Sequence, residues 1–263
     1  MILKEAAEIR IRQGIAGIFN SAEYPKFLSF ASRFLSYSCR NIIMLYMQAP
    51  DAEYVAGYHA WQRIFNETVP PDQIPVLVLY PEYEMRSKSF RYTVRKVFDR
   101  PPADRMNSVS GDLKGQIRKC DSPDLFECLR GYIRNETGKY AMLSVGETSD
   151  EIDENGNAVM VPARLSDREQ FRLLFEYYTS SIINEEDSPV LSAYVMNSLR
   201  YIVFSYYRTD GLDRIVFPFA ALSGTDEAMQ AEILRRTISE AKRITNYMDA
   251  KHHGKVREME NES

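Results

Sequence analysis

The residues in this sequence best suited to chemistry are basic side chains interleaved with aromatics. Tyr37, Tyr54, Tyr58 and Trp61 lie close in sequence to Arg33, Arg40 and Arg63, and Arg91, Arg95 and Lys96 follow in a short alternating segment. Single-stranded nucleic acids are held by that combination, because bases stack on rings while phosphates meet Lys or Arg. The competing reading is packing: aromatics make up 12% of the chain, most aromatics fill cores, and a lone tryptophan is more often packed than stacked.

Catalytic constellations are missing. There is no G-x-G-x-x-G, no G-x-x-x-x-G-K-[ST] and no G-x-S-x-G. The three histidines are His59 and the adjacent pair His252 and His253, so no two imidazoles stand one helical turn apart. A Cys39–His59 pair can be drawn, but a small buried hydrophobe is the commoner role for such a cysteine. Glu185, Glu186 and Asp187 read as a solvated helix terminus. The sequence gives no positive sign of an enzyme, and no cofactor or metal is expected.

The elements that must position the basic and aromatic groups follow from periodicity. Residues 2–19 carry helical spacing, weakened near the end by Gly14 and Gly17. A second helix is predicted from about Pro25 to Gln48, ended by Pro50, with Arg33, Arg40 and Asn41 off its apolar face. A short amphipathic helix should hold His59, Trp61 and Phe65. Pro75–Tyr80 and Phe90–Phe98 read as antiparallel strands joined across 82–89; Phe90, Tyr92 and Val94 alternate with Arg91, Thr93 and Arg95, an apolar face against a basic one. Residues 99–122 look irregular.

Further on, Leu125–Arg134 reads as a helix, and Tyr140–Val145 and Ala158–Val161 as strands flanking an acidic turn at 149–157. Ser166 and Glu169 form a capping-box pair for a helix reaching about Asn184. Ser188-Pro189 opens Val190–Tyr207, apolar on nearly every face and expected at the centre of this half. Asp226–Met248 is a last amphipathic helix, followed by a polar, frayed tail. The fold class expected is α+β: N-terminal helices with a small antiparallel sheet (1–122), a mainly helical part (123–250), then the tail (251–263).

At 263 residues, 44% hydrophobic and 27% charged, the composition is that of an ordinary soluble globular protein. No apolar run nears the roughly 20 residues that span a bilayer, so no membrane partner is expected. The N-terminal ten residues include Lys4, Glu5, Glu8 and Arg10 and so lack a signal-peptide core; the odd set Cys39, Cys120 and Cys128 reads as reduced thiols in a cytoplasmic protein. Charge is uneven. Residues 1–140 carry 20 basic against 16 acidic side chains, and residues 141–263 carry 13 against 21. Within the first half, residues 86–119 hold ten basic and three acidic groups, either a solvated loop or a phosphate-binding surface.

Tyr37, Ser38, Asn41, Pro50, Ala52, Val55, Ala56, Gly57 and Trp61 form a pattern that resembles the N-terminal domain of ArdC-type antirestriction proteins, also called LtrC-like proteins, of plasmids and integrative elements. Val97-Phe98-Asp99, Leu165-Ser166 with Phe171 and Leu174, Leu199–Tyr207, Gly211-Leu212-Asp213 and Ala221–Asn246 extend the likeness over most of residues 20–250. The resemblance implies an N-terminal domain that binds single-stranded DNA and a zincin-like metallopeptidase domain after it. It puts the His-Glu-x-x-His motif on Glu176-Tyr177-Tyr178-Thr179-Ser180, with the third ligand near Met196 or Asn197. Two imidazoles and a water-activating Glu are what that chemistry needs, and Glu176, Tyr177 and Ser180 stand in their places. The second half is therefore expected to be a pseudopeptidase domain.

The leading expectation is a non-catalytic protein of a mobile element, binding single-stranded DNA through Arg40, Asn41, Tyr54, Tyr58 and Trp61 together with Arg91, Arg95 and Lys96 on one strand face. The alternative is an interaction or scaffolding module whose acidic C-terminal half binds a protein partner.

Overall fold

A computed structural model describes residues 2–65, 68–85, 88–99, 124–144, 158–182, 187–220 and 226–261. The architecture is α+β. Two compact units are distinguished: residues 1–119 with 223–235, and residues 120–222 with 236–263.

The first unit opens with α1 (Ile2–Ile18), α2 (Glu23–Arg33) and α3 (Cys39–Gln48). The single helix expected over 25–48 is thus two. Phe34 leaves helical geometry at φ −118°, and Ser38 turns extended at φ −75°, ψ 156°, where its Oγ accepts the Asn41 N–H at 3.3 Å. A serine at this position satisfies a donor that a new helix start would otherwise leave unpaired. The break lets both helices bury a face, through Phe27, Leu28 and Phe30 on α2 and Ile42, Ile43 and Leu45 on α3. Gly14 lets α1 approach α3 closely, since a methyl there would run into the Met47 sulfur and, at 2.8 Å, into Ile43 Cγ2.

A short strand β1 (Val55–Ala56), not foreseen from the pattern, precedes α4 (Tyr58–Phe65). It joins β2 (Val76–Glu84) and β3 (Ser89–Asp99) in an antiparallel sheet of order β1-β3-β2. The β2–β3 pairing runs from Val76 opposite Val97 to Glu84 opposite Ser89, so the hairpin expected across this region is present. β2 passes through Pro81 rather than stopping at Tyr80. Leu77 and Leu79 turn their N–H and C=O groups to the outer edge of β2, and Pro81 shares their parity. Its missing N–H therefore costs the ladder nothing, the position at which an edge strand tolerates proline.

That outer edge is covered by α3. Asn41 Nδ2 donates to the Leu79 carbonyl and its Oδ1 accepts the Leu79 N–H, both at 2.8 Å; Gln48 does the same for Leu77 at 3.0 and 2.9 Å. Seven residues apart, the two carboxamides share one helix face and take the place of a neighbouring strand.

The second unit contains α5 (Leu125–Thr137), β4 (Tyr140–Ser144), β5 (Ala158–Pro162), α6 (Asp167–Ser181), α7 (Pro189–Tyr206) and a 3-10 turn at Leu212–Arg214. β4 and β5 pair in parallel, Tyr140 opposite Ala158, and so are not the two arms of a tight turn. The 13 residues between them suit the long crossover that parallel pairing needs; the acidic turn expected at 149–157 lies outside the described residues. The Ser166–Glu169 capping box is formed, with Ser166 Oγ accepting the Glu169 N–H and Glu169 Oε2 accepting the Ser166 N–H at 3.0 Å. Ser188 caps α7 in the same manner. α6 and α7 pack together as expected: Phe171 and Phe175 of α6 meet Phe204 of α7 at 6.2 and 5.7 Å. Tyr194, Leu199, Ile202 and Val203 bury α7 within this unit.

The last helix, α8 (Glu227–Asn261), runs well past the expected end at Met248 and through the segment expected to fray. Its Glu240 accepts hydrogen bonds from Tyr132 at 2.9 Å and Tyr178 at 2.7 Å, which fixes it to α5 and α6 within the second unit. Among the described residues no helix is long and apolar enough to cross a membrane.

Candidate functional site

The β2–β3 ribbon carries the basic and aromatic groups of the first unit to the surface. Its base is buried through Val76, Val78, Leu79 and Val97. Beyond Tyr80 it is a two-stranded arm, and Tyr80, Tyr83, Met85, Phe90 and Tyr92 are all exposed. The apolar face expected for Phe90 and Tyr92 is thus a solvent-facing one.

Strand register divides the ribbon into two faces. Val78 lies opposite Arg95, Tyr80 opposite Thr93 and Glu82 opposite Arg91, so these six share one face. On it Arg95 lies over the Tyr80 ring, 3.6 Å from its centroid, and binds Glu82 at 2.9 Å. The hydrogen bond from Arg95, with Arg91 and Thr93 nearby, holds the Glu82 carboxyl below its ordinary range. Lys96 falls on the other face, with Tyr92, Phe90, Tyr83 and Pro81. The expectation of Arg91, Arg95 and Lys96 on a single face fails by the parity of the strand.

The remaining nominated residues divide by burial. Trp61 is 0% exposed, in a cluster with Ala56, Tyr54, Ala60, Val69 and Phe98. Its ring is closed to a base, so it is a core residue and not a stacking platform. Asn41, also expected at the nucleic-acid surface, is buried and engaged with Leu79. Arg40 stays at the surface, in an ion pair of 3.1 Å with Glu8. Tyr54 is half-buried against the Trp61 cluster, and burial raises its hydroxyl pKa. Tyr58 is exposed, its ring edge-on to His59 at 5.6 Å. Sequence reasoning missed Tyr83 as a surface aromatic; the acidic Glu82 and Glu84 on either side of it held the signal.

In the second unit, an arginine is bonded to two of the three positions aligned with a zincin motif, Glu176 and Ser180. Arg200, from α7, donates from Nε to Thr179 Oγ1 at 2.7 Å and from Nη2 to the Glu176 carbonyl at 2.8 Å and Ser180 Oγ at 3.1 Å. These acceptors belong to the C-terminal part of α6, where the helix dipole favours a cation. Burial lowers the Arg200 pKa and the Glu176 charge opposes that shift. Met196 sits against Ser180 Oγ at 3.8 Å, and Asn197 donates to the Val216 carbonyl at 2.8 Å. This donor set does not fit a divalent metal: the positions offer a carboxylate, a phenol and a hydroxyl, with a guanidinium already bonded among them. Among the described residues no group of three or more His, Cys, Asp or Glu side chains could hold a metal ion. Sequence reasoning overlooked Arg200, whose role depends on helix packing.

Two crystal structures of the antirestriction ArdC protein from plasmid R388 are similar to this chain. The Mn(II)-bound structure is 13% identical with a TM-score of 0.46, covering 82% of this chain and 85% of that one. The metal-free structure is 12% identical with a TM-score of 0.42, covering 83% and 86%. No protein-family model matches the sequence, and no curated protein matches it.

Proposed function

We propose that this chain is a non-catalytic, ArdC/LtrC-like protein of a mobile genetic element that binds single-stranded DNA through its first unit. The observation that carries this reading is the exposed β2–β3 ribbon, on which Tyr83, Phe90 and Tyr92 share a face with Lys96 while Arg91 and Arg95 stand on the other. Rings supply stacking and cations supply phosphate contacts, the two terms by which single strands are held. The resemblance of residues 37–61 to the family's DNA-binding domain adds to it. In the second unit, the Arg200 guanidinium bonded to Thr179, Ser180 and the Glu176 carbonyl supports a pseudopeptidase, since zincin hydrolysis needs a metal-bound water at that place. The protein would act in the cytoplasm, protecting or handling transferred DNA.

The test is a fluorescence titration of single- and double-stranded oligonucleotides with the whole chain at two salt concentrations. Preferred binding of the single strand, weakening as salt rises, is expected. No binding at low salt would overturn the reading and leave the alternative, a protein-interaction module using its acidic second half.

A further inference from the structure

We propose that the bases of a bound single strand stack on one particular face of the ribbon, that of Tyr83, Phe90 and Tyr92, with Lys96 meeting a phosphate; this rests on the single-stranded-DNA reading above. The more basic face of Arg91 and Arg95 is the obvious candidate, yet it is the wrong one electrostatically. All three carboxylates of the described strands, Glu82, Glu84 and Asp99, lie on it. Arg95 is already committed to Glu82 and to the Tyr80 ring. The opposite face has Lys96 as its charged group in the paired segment and no carboxylate.

Exposure and geometry point the same way. Phe90 is 67% exposed, Tyr83 53% and Tyr92 48%, three neighbouring rings open to solvent on one face of a short arm, the kind of contiguous apolar patch that marks a binding surface. Tyr83 and Phe90 meet edge to face, centroids 5.4 Å apart at 66°, so each ring keeps the other from lying flat along the strand. Phe90 and Tyr92 are two residues apart on one strand, a separation of about 6.8 Å. A base held between two rings needs about twice the roughly 3.4 Å stacking distance, which matches that backbone spacing. The occupant is therefore an anionic chain of flat groups. A protein strand added to the outer edge of β2 would find no donor at Pro81 and would meet Asn41 and Gln48 already bonded to Leu79 and Leu77.

The experiment titrates a dye-labelled oligothymidylate against the full chain as wild type, Phe90→Ala, Tyr92→Ala, Phe90→Trp and Lys96→Gln, with Trp61 emission as the check that the first unit stays folded. Each alanine variant is expected to bind roughly 5- to 150-fold more weakly. Phe90→Trp should bind at least as well as wild type, and its added, exposed indole emission should be quenched by the oligonucleotide. Lys96→Gln should lower the salt slope by about 0.7, one phosphate contact to a single strand. If wild type binds and both alanine variants bind equally well with no quenching of Phe90→Trp, the stacking face is wrong while the DNA reading stands, and the aromatic face belongs to a protein contact. Failure of wild type itself to bind removes the DNA reading and this inference together.

Discussion

Asn41 grips the backbone of Leu79 at both ends, donating to its carbonyl and accepting its N–H at 2.8 Å each, across 38 residues of sequence. With Gln48 on Leu77 this closes a sheet edge using side chains from a helix. The asparagine that the resemblance places in a DNA-binding motif thus holds the ribbon's base in position.

Replacing Asn41 by Leu should destabilise the first unit by about 2–4 kcal/mol, because a buried N–H and a buried carbonyl lose their partners together. Asn41→Asp keeps the acceptor but sets a buried carboxylate oxygen against the Leu79 carbonyl, so it should cost at least as much as the leucine variant. Urea unfolding followed by tryptophan emission measures both.

The chain's only tryptophan is a clean reporter of that unit. With Trp61 fully buried, native emission should be blue-shifted and should not change when an oligonucleotide binds. Trp61→Ala should cost about 3–5 kcal/mol as a core truncation. Quenching of wild-type emission by a single strand would instead put Trp61 at the binding surface.

Arg200→Met should lower the thermal midpoint of the second unit, with a loss of about 2–3 kcal/mol for hydrogen bonds made by a charged group. Arg200→Lys cannot reproduce the three separated bonds and should recover only part. Calorimetry with and without a chelator should give the same midpoint in wild type, and elemental analysis should find no stoichiometric zinc. About one zinc per chain, resistant to mild chelation, would contradict the pseudopeptidase reading.

Alkaline pH should loosen the first unit. Burial pushes the Cys39 thiol from 9.0 up to about 12 and the Tyr37 hydroxyl from 10.0 up to about 12. Both groups release their protons more readily when unfolded, so this part of the stability is fully present below about pH 9 and is lost as pH rises toward 12. Urea midpoints at pH 7, 9 and 10.5 should fall in that order, and Cys39→Ala should flatten the decline. The same burial should leave Cys39 slow to alkylate in the native protein at pH 8.

What the sequence determined by itself is the set of local structures whose causes lie within a few residues. The Ser166–Glu169 box, the Ser188 cap, the strand alternation of 89–99 and the hairpin joining it to β2 are all of that kind. So is the absence of any His pair at metal-ligand spacing. Even the parting of Lys96 from Arg95 is written in strand parity. What the tertiary structure decided is which side of each element is covered. Periodicity gives an apolar face but not its burial, and so leaves open that Trp61 is packed at 0% exposure while Phe90 and Tyr92 face solvent. Ser38 split a helix whose periodicity ran straight through it, since a cap pairs a new helix start only where both resulting faces find packing. Arg200 meets Thr179 and Ser180 because α6 and α7 pack at that turn, and Asn41 meets Leu79 because α3 lies along an open strand edge. Contacts of that range depend on how elements dock, which no local pattern encodes.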